Sequence, residues 1–223
     1  AVPLYMHSGG SPEALTLLKS GVVQDANEFA FGAYFVRDPR RNAPHNLFTS
    51  STAWNALLKN VDTAGSATWS GWRFSRYADE SAYRSLVPFS GVSSTTVARK
   101  AIVRFAGLTG ATWTYEDELL AYRRSVRDVV STDAASTTLR ATTILIQYVP
   151  VKSIDTEDRK SVGLIGTGRG VAISRGIAVQ ATWKKAFPTD RTRWYDDRGN
   201  ELVFIPGTIW VEIVPTSANI TIE

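Results

Sequence analysis

A chain of 223 residues that is 43% hydrophobic, 21% charged and 11% aromatic has the make-up of an ordinary globular protein, long enough for one large domain or two modest ones with a real apolar core. Its 25 lysines and arginines against 21 acidic residues leave a formal charge of +4, spread without a polybasic block or a nucleic-acid module, so nucleic acid is not an expected partner. With no cysteine and two histidines, the chain can form no disulfide, thiolate zinc site, cysteine nucleophile or histidine-rich metal site, and no apolar run is long enough to span a bilayer as a helix.

The opening "AVPLYM" is an apolar run of the kind that forms a buried strand. A strand starting at the first residue leads to the expectation of a cut precursor, with any targeting segment lost upstream. Gly9 and Gly10 then turn the chain, and Ser11, Pro12 and Glu13 open a helix as N-cap, first helical position and first-turn acid. That helix runs through "EALTLLKS" and stops at Gly21. "FAFGAYFVRD" is aromatic and expected to be extended. A second helix is expected from Ser51, with Ala53, Trp54, Leu57, Leu58 and Val61 on one face.

From about residue 70 the pattern turns to strands. "GWRFSRY" alternates, as does "TVARKAIVRF", which places Val97, Ala101, Val103 and Phe105 on one face. "TWTYEDELLAYRRS" predicts a hairpin about an acidic turn, and "TTILIQYVPV" a strand buried on both faces. "GVAISRGIAVQATW" holds two strands around "SRG". Asp197, Arg198, Gly199 and Asn200 form a tight turn, and "TIWVEIVP" closes the sheet. There is no fixed-period repeat. The expected fold class is α+β, with mixed or antiparallel sheets, two or more helices in the first third and mostly β structure thereafter. The expected domains are residues 1–110, α+β, and residues 111–223, mostly antiparallel β.

Familiar chemistry finds little purchase. "GLIGTGRGVAIS" leads into a strand, whereas a dinucleotide fingerprint leads into the helix whose N-terminus holds the pyrophosphate, so glycines at a hairpin mouth are the better account. Glu116, Asp117 and Glu118, like Asp196 and Asp197, fall at turns and read as solvated carboxylates rather than a glycosidase pair. No HExxH, EF-hand loop, GxSxG elbow or P-loop is present, and no metal or cofactor is expected. Asn219, Ile220 and Thr221 form a sequon to which no role is assigned.

Two polar stretches carry more. In "HSGGSPEAL" a strand ends at His7, Gly9 and Gly10 allow close approach of a ligand, and the Ser11 helix start offers free amides to an anion. An ordinary strand-to-helix turn capped by serine is the plain alternative. In "RDPRRNAPHNLFTSS", Arg37, Arg40 and Arg41 lie near His45 and Asn46 on a loop stiffened by Pro39 and Pro44. Arginine forks suit carboxylate or phosphate, with Asn and His giving directional bonds. A solvated loop paired with Asp38 is the alternative there.

Together these stretches resemble the YerB-like bacterial lipoprotein family, a domain of unknown function whose members show a His-x-Gly-Gly-Ser-Pro-x-Ala stretch and later an Ala-Pro-His-Asn element. Arg37, Arg40 or Arg41, Ala43, Pro44, His45, Asn46, Leu47 and Thr49 fit the second pattern, with Phe48 where the family has tyrosine and Asn42 where it has lysine. Downstream, "ILIQYVPV", "GTGRGVAISRGIAVQATWKK" and "RTRWYDDRGNELVFIPGTIWVEIVP" follow the family's C-terminal part in order and spacing. The resemblance implies an extracytoplasmic, cell-envelope location, membrane attachment only through an N-terminal anchor, and an upstream segment not in this sequence. That segment, retained as a separate chain, or a cell-wall or envelope protein is the expected partner. It implies no reaction.

Three functional readings follow. In the first, His7, Gly9, Gly10, Ser11, Arg37, Arg40, Arg41, His45 and Asn46 line one polar pocket of an envelope binding module with an anionic ligand. In the second, His45 is the general base of an envelope-acting hydrolase or transferase, with Ser8, Ser11 or Thr49 the nearby nucleophiles. In the third, the polar residues satisfy one another and hold the fold together without a ligand.

Overall fold

In the computed structural model, which describes residues 4–61, 70–92, 94–104, 110–156 and 158–223, the opening apolar run becomes β1 (Leu4–His7). Ser11 then caps α1 (Pro12–Leu17) by accepting the Ala14 N–H at 3.2 Å. The helical turn that follows, Leu18–Val22, is broken at Gly21, whose φ of 81° lies outside the helical range. β2 (Gln24–Asn27) returns alongside β1 in parallel, with His7 opposite Asn27.

Asn27 caps α2 (Glu28–Phe31), which a 3-10 turn over Gly32–Tyr34 continues. "FAFGAYFVRD" is therefore mostly helical turn rather than extended, because the Asn27 side chain accepts the Phe29 N–H at 3.1 Å and starts a helix there. Only β3 (Val36–Arg37) is strand, paired antiparallel with β4 (Leu47–Phe48) across the proline- and arginine-rich loop. α3 (Ser51–Leu58) begins at the Ser50 cap as expected, yet only Leu57 of its apolar face is buried, and Trp54 and Leu58 stay exposed.

The chain divides into two compact units at Ser70 and Gly71, not at the expected 110/111. Residues 71–110 belong with the C-terminal part because their strands are stitched into its sheets. β5 (Arg73–Phe74), all that forms of the "GWRFSRY" strand, precedes α4 (Glu80–Ser85), β6 (Thr96–Val97) and β7 (Lys100–Arg104). The predicted hairpin follows as β8 (Ala111–Glu116) and β9 (Ala121–Val126), then the short β10 (Val129–Val130) and β11 (Arg140–Ala141). Next come β12 (Thr143–Val149), the β13 (Val151–Ser153) and β14 (Lys160–Val162) pair, and the long hairpin of β15 (Gly166–Ser174) and β16 (Ile177–Lys185). β17 (Arg193–Tyr195), β18 (Val203–Phe204), β19 (Ile209–Pro215) and β20 (Asn219–Ile222) complete the unit.

Two sheets result. One runs β10-β9-β8-β7-β20 with β11 beside β9; the other runs β17-β16-β15-β12-β19 with β6 beside β16. Ala101, Val103, Trp113 and Tyr122 of the first pack against Ile144, Ile146, Val171 and Ile173 of the second. On its other face the second sheet carries Leu145, Val149, Ala172, Val179, Trp183 and Trp194, and Phe204 of β18 packs among them. β12 is thus covered on both sides, and all seven of its residues are buried, as its continuous apolar run predicted.

Tyr122 ties the layers together by donating to the Ala98 carbonyl at 2.8 Å and accepting the Gly176 N–H at 2.9 Å. Val97, expected on the core face, is exposed because it pairs with Ile177 at the rim of the other sheet; Phe105 lies outside the described residues. The fold class is α+β, with three α-helices among the described residues up to Val61 and strands dominating afterwards.

Candidate functional site

Both polar stretches belong to the N-terminal unit, and its strand register decides how they meet. Parallel pairing places Asp25 opposite Tyr5, two residues before Asn27, and delivers Glu28 at the start of α2. His7, with a side chain only 7% exposed, faces acceptors at both ring nitrogens: the Gly9 carbonyl at 2.7 Å from Nδ1 and Asp25 Oδ1 at 2.6 Å from Nε2. Neither nitrogen is left to take a proton from a substrate. Gly9, at a φ of 62°, gives the turn that brings its carbonyl back to the ring.

Glu28 is the hub. It accepts the Ser8 hydroxyl on one carboxylate oxygen and an Arg37 guanidinium N–H on the other. A second Arg37 N–H reaches Asn46 Oδ1 at 2.8 Å, and the buried Asn46 gives its amide to the Asp38 carbonyl at 3.4 Å. The two stretches therefore do come together, through a residue that lies in neither. The hydrogen bond from Ser8, with the help of Arg37, holds the Glu28 carboxyl below the usual carboxylate range.

The loop itself is ordered by Asp38. Its backbone N–H meets the Asn46 carbonyl at 2.8 Å, extending the β3–β4 ladder by one bond. Its carboxylate takes a two-point grip from Arg40, at 2.9 and 3.1 Å, which lowers its affinity for a proton and raises that of the guanidinium. Arg41 is less engaged, 3.8 Å from Asp38, with its guanidinium 5.3 Å from the centre of the Phe48 ring. His45 is exposed and has no hydrogen-bond partner among the described residues.

Of the nine residues marked out by sequence, His7, Arg37, Arg40 and Asn46 are engaged by protein groups, and Gly9 and Ser11 complete the strand-to-helix turn. Gly10, Arg40, Arg41 and His45 are exposed. The candidate nucleophiles are occupied: Ser8 by Glu28, Ser11 by its helix, and Thr49 by the Tyr34 carbonyl at 2.9 Å. Sequence reading missed Asp25 and Glu28. A polar pair straddling a strand-to-helix junction, Asn27 then Glu28, was the available signal. Among the described residues no three acidic or histidine side chains gather as a metal site.

Known proteins share this arrangement of elements. Residues 2–67 match the family described as "Protein of unknown function (DUF3048) N-terminal domain", and residues 101–211 match its C-terminal domain. The chain is 24% identical over 222 residues to "Putative lipoprotein YerB" of Bacillus subtilis (strain 168), a match covering 95% of this chain and 61% of that protein. It therefore spans about three fifths of that relative's length. The crystal structure of YerB protein from Bacillus subtilis superimposes with a TM-score of 0.73 at 23% identity, over 98% of this chain and 70% of that one, a likeness of fold. The chain belongs to the DUF3048 family, the YerB-like proteins.

Proposed function

From that membership, we propose that the chain is an extracytoplasmic, envelope-facing binding module that engages an anionic partner through the exposed rim of its N-terminal unit. The relative's name as a putative lipoprotein supports the location. The observation that carries the binding reading is the division of labour in the loop. Arg37 and Asn46 are spent on bracing it, while Arg41 and His45 stand in solvent with little or no protein partner. A hydrolase reading has less support, because each candidate nucleophile is bonded elsewhere and His45 touches none of them.

The test is co-sedimentation with an insoluble cell-wall preparation carrying phosphate-bearing polymers, against the same wall stripped of them. Binding is expected to need the phosphate and to weaken with salt. Arg41→Ala with His45→Ala should lower it about tenfold or more, the loss expected for charge-assisted hydrogen bonds. Undiminished binding by the double variant would overturn the reading.

A second observation favours a polypeptide partner for the same unit. Parallel strands are normally buried on both faces, yet β1 and β2 stand as a pair with no third strand among the described residues. Among the unit's described residues Ala26 and Leu57 are the buried apolar ones, while Tyr5, Leu17, Phe29, Val36, Phe48, Trp54 and Leu58 are exposed. An added strand from the rest of a longer family protein would pair with this edge and cover that surface. Native mass spectrometry before and after denaturation checks it. A second polypeptide released on denaturation is expected; a bare 24.5 kDa species in both spectra argues against it.

A further inference from the structure

The C-terminal unit holds a cavity of about 210 Å³ between the turn at Phe89–Val92 and the segment leading into β18. Phe89, Val92, Leu202 and Val203 supply apolar walls. Arg73 pairs in register with Val203, so the two side chains share one face and both line the cavity. Among the described residues the Arg73 guanidinium has no hydrogen-bond or ion-pair partner, and neither has the Ser90 hydroxyl on the opposing turn.

Two acidic residues, Asp196 and Glu201, also line the cavity. Glu201 lies two residues before Val203, about 7 Å along an extended chain, and holds Arg193 at 2.7 Å through one oxygen. Asp196 is closed off, its oxygens accepting the Arg198 and Asn200 backbone N–H groups and the Asn200 amide. The turn that carries Ser90 is itself unusual: Phe89 is buried at a φ of 53°, a conformation bulky residues adopt only where their surroundings enforce it.

A cation and a hydroxyl without protein partners among the described residues, a carboxylate and apolar walls around one cavity fit a small molecule of mixed charge. A dianion such as phosphate would meet Glu201 and Asp196, and the volume lies below the roughly 300–1,000 Å³ of drug-sized sites. We infer that this cavity binds a free α-amino acid with an apolar side chain, its carboxylate on Arg73 and Ser90 and its ammonium toward Glu201. The site is separate from the anion-binding rim proposed for the N-terminal unit, and either stands if the other fails.

Saturation-transfer NMR on the full chain tests it with leucine, N-acetyl-leucine and leucinamide, the last two each lacking one of the charges. Leucine is expected to receive saturation, and both derivatives to bind about tenfold more weakly or worse. Arg73→Ala should weaken leucine by a similar factor, with unchanged tryptophan fluorescence reporting an intact fold; Glu201→Gln provides the same test from the ammonium end. No transfer to leucine, equal transfer to N-acetyl-leucine, or undiminished binding by both variants overturns the inference.

Discussion

Replacing Trp113 with alanine is expected to destabilise the C-terminal unit by about 3–5 kcal/mol, the cost of emptying a large aromatic site in a packed core. Trp113 is fully buried in β8, where the two sheets face one another. Its indole meets Trp210 edge-on at 5.2 Å and donates to Glu212 Oε1 at 3.0 Å. Glu212 is itself 6% exposed, so losing the indole N–H strips a buried carboxylate of a donor as well as opening a cavity. Trp113→Phe separates the two effects. It keeps most of the ring and loses the hydrogen bond, and should cost about 1–3 kcal/mol. Urea unfolding followed by near-ultraviolet circular dichroism measures both variants, since the N-terminal unit need not unfold in the same transition. If Trp113→Phe proves as damaging as Trp113→Ala, the hydrogen bond to Glu212, and not the packing of the ring, is the larger contribution.

How far the sequence announces this depends on whether the signal is local. The β8–β9 hairpin, the buried β12 run, the Ser11 cap and the turn at Gly199 each depend on spacing within a dozen residues, and each formed where expected. The failures lie where a distant partner decides. Trp54 and Leu58 have helical spacing, but spacing defines a face without supplying what covers it. Val97 alternates correctly, yet pairing with Ile177 takes it to the rim of the other sheet.

The candidate site shows the same split. His7, Arg37 and Asn46 could be marked as polar residues in stiff turns. That Asp25 and Glu28 would meet them follows from a parallel β1–β2 register, which no local pattern encodes. Once those carboxylates are in place, the cluster changes character. Part of what reads as an anion pocket in one dimension is a braced scaffold in three, and the groups left to bind anything are the ones on its rim.

The glycine run of β15 makes the same argument against a nucleotide, and it predicts a large effect from one methyl group. A Cβ on Gly170 would lie 2.5 Å from Cζ3 of Trp194 and 2.8 Å from the Ile146 carbonyl oxygen. On Gly168 it would lie 2.7 Å from Nε1 of Trp183, an atom that donates to the Tyr148 carbonyl at 2.9 Å. These glycines are seats for two indoles: Gly170 lies in register with Gln147 of β12 and Ala181 of β16, and Gly168 with Trp183, so a ring already fills the space a phosphate would need beside each of them. Gly170→Ala should therefore cost about 1–3 kcal/mol by overpacking, with a changed near-ultraviolet tryptophan signal. In a Trp194→Leu background the clash with the ring is relieved while that with Ile146 persists, so part of the cost should vanish and the double-mutant cycle should show coupling. A Gly170→Ala chain within about 0.5 kcal/mol of the parent, the range of an ordinary surface change, would mean that the indole does not occupy this slot and would reopen the glycine run to a ligand.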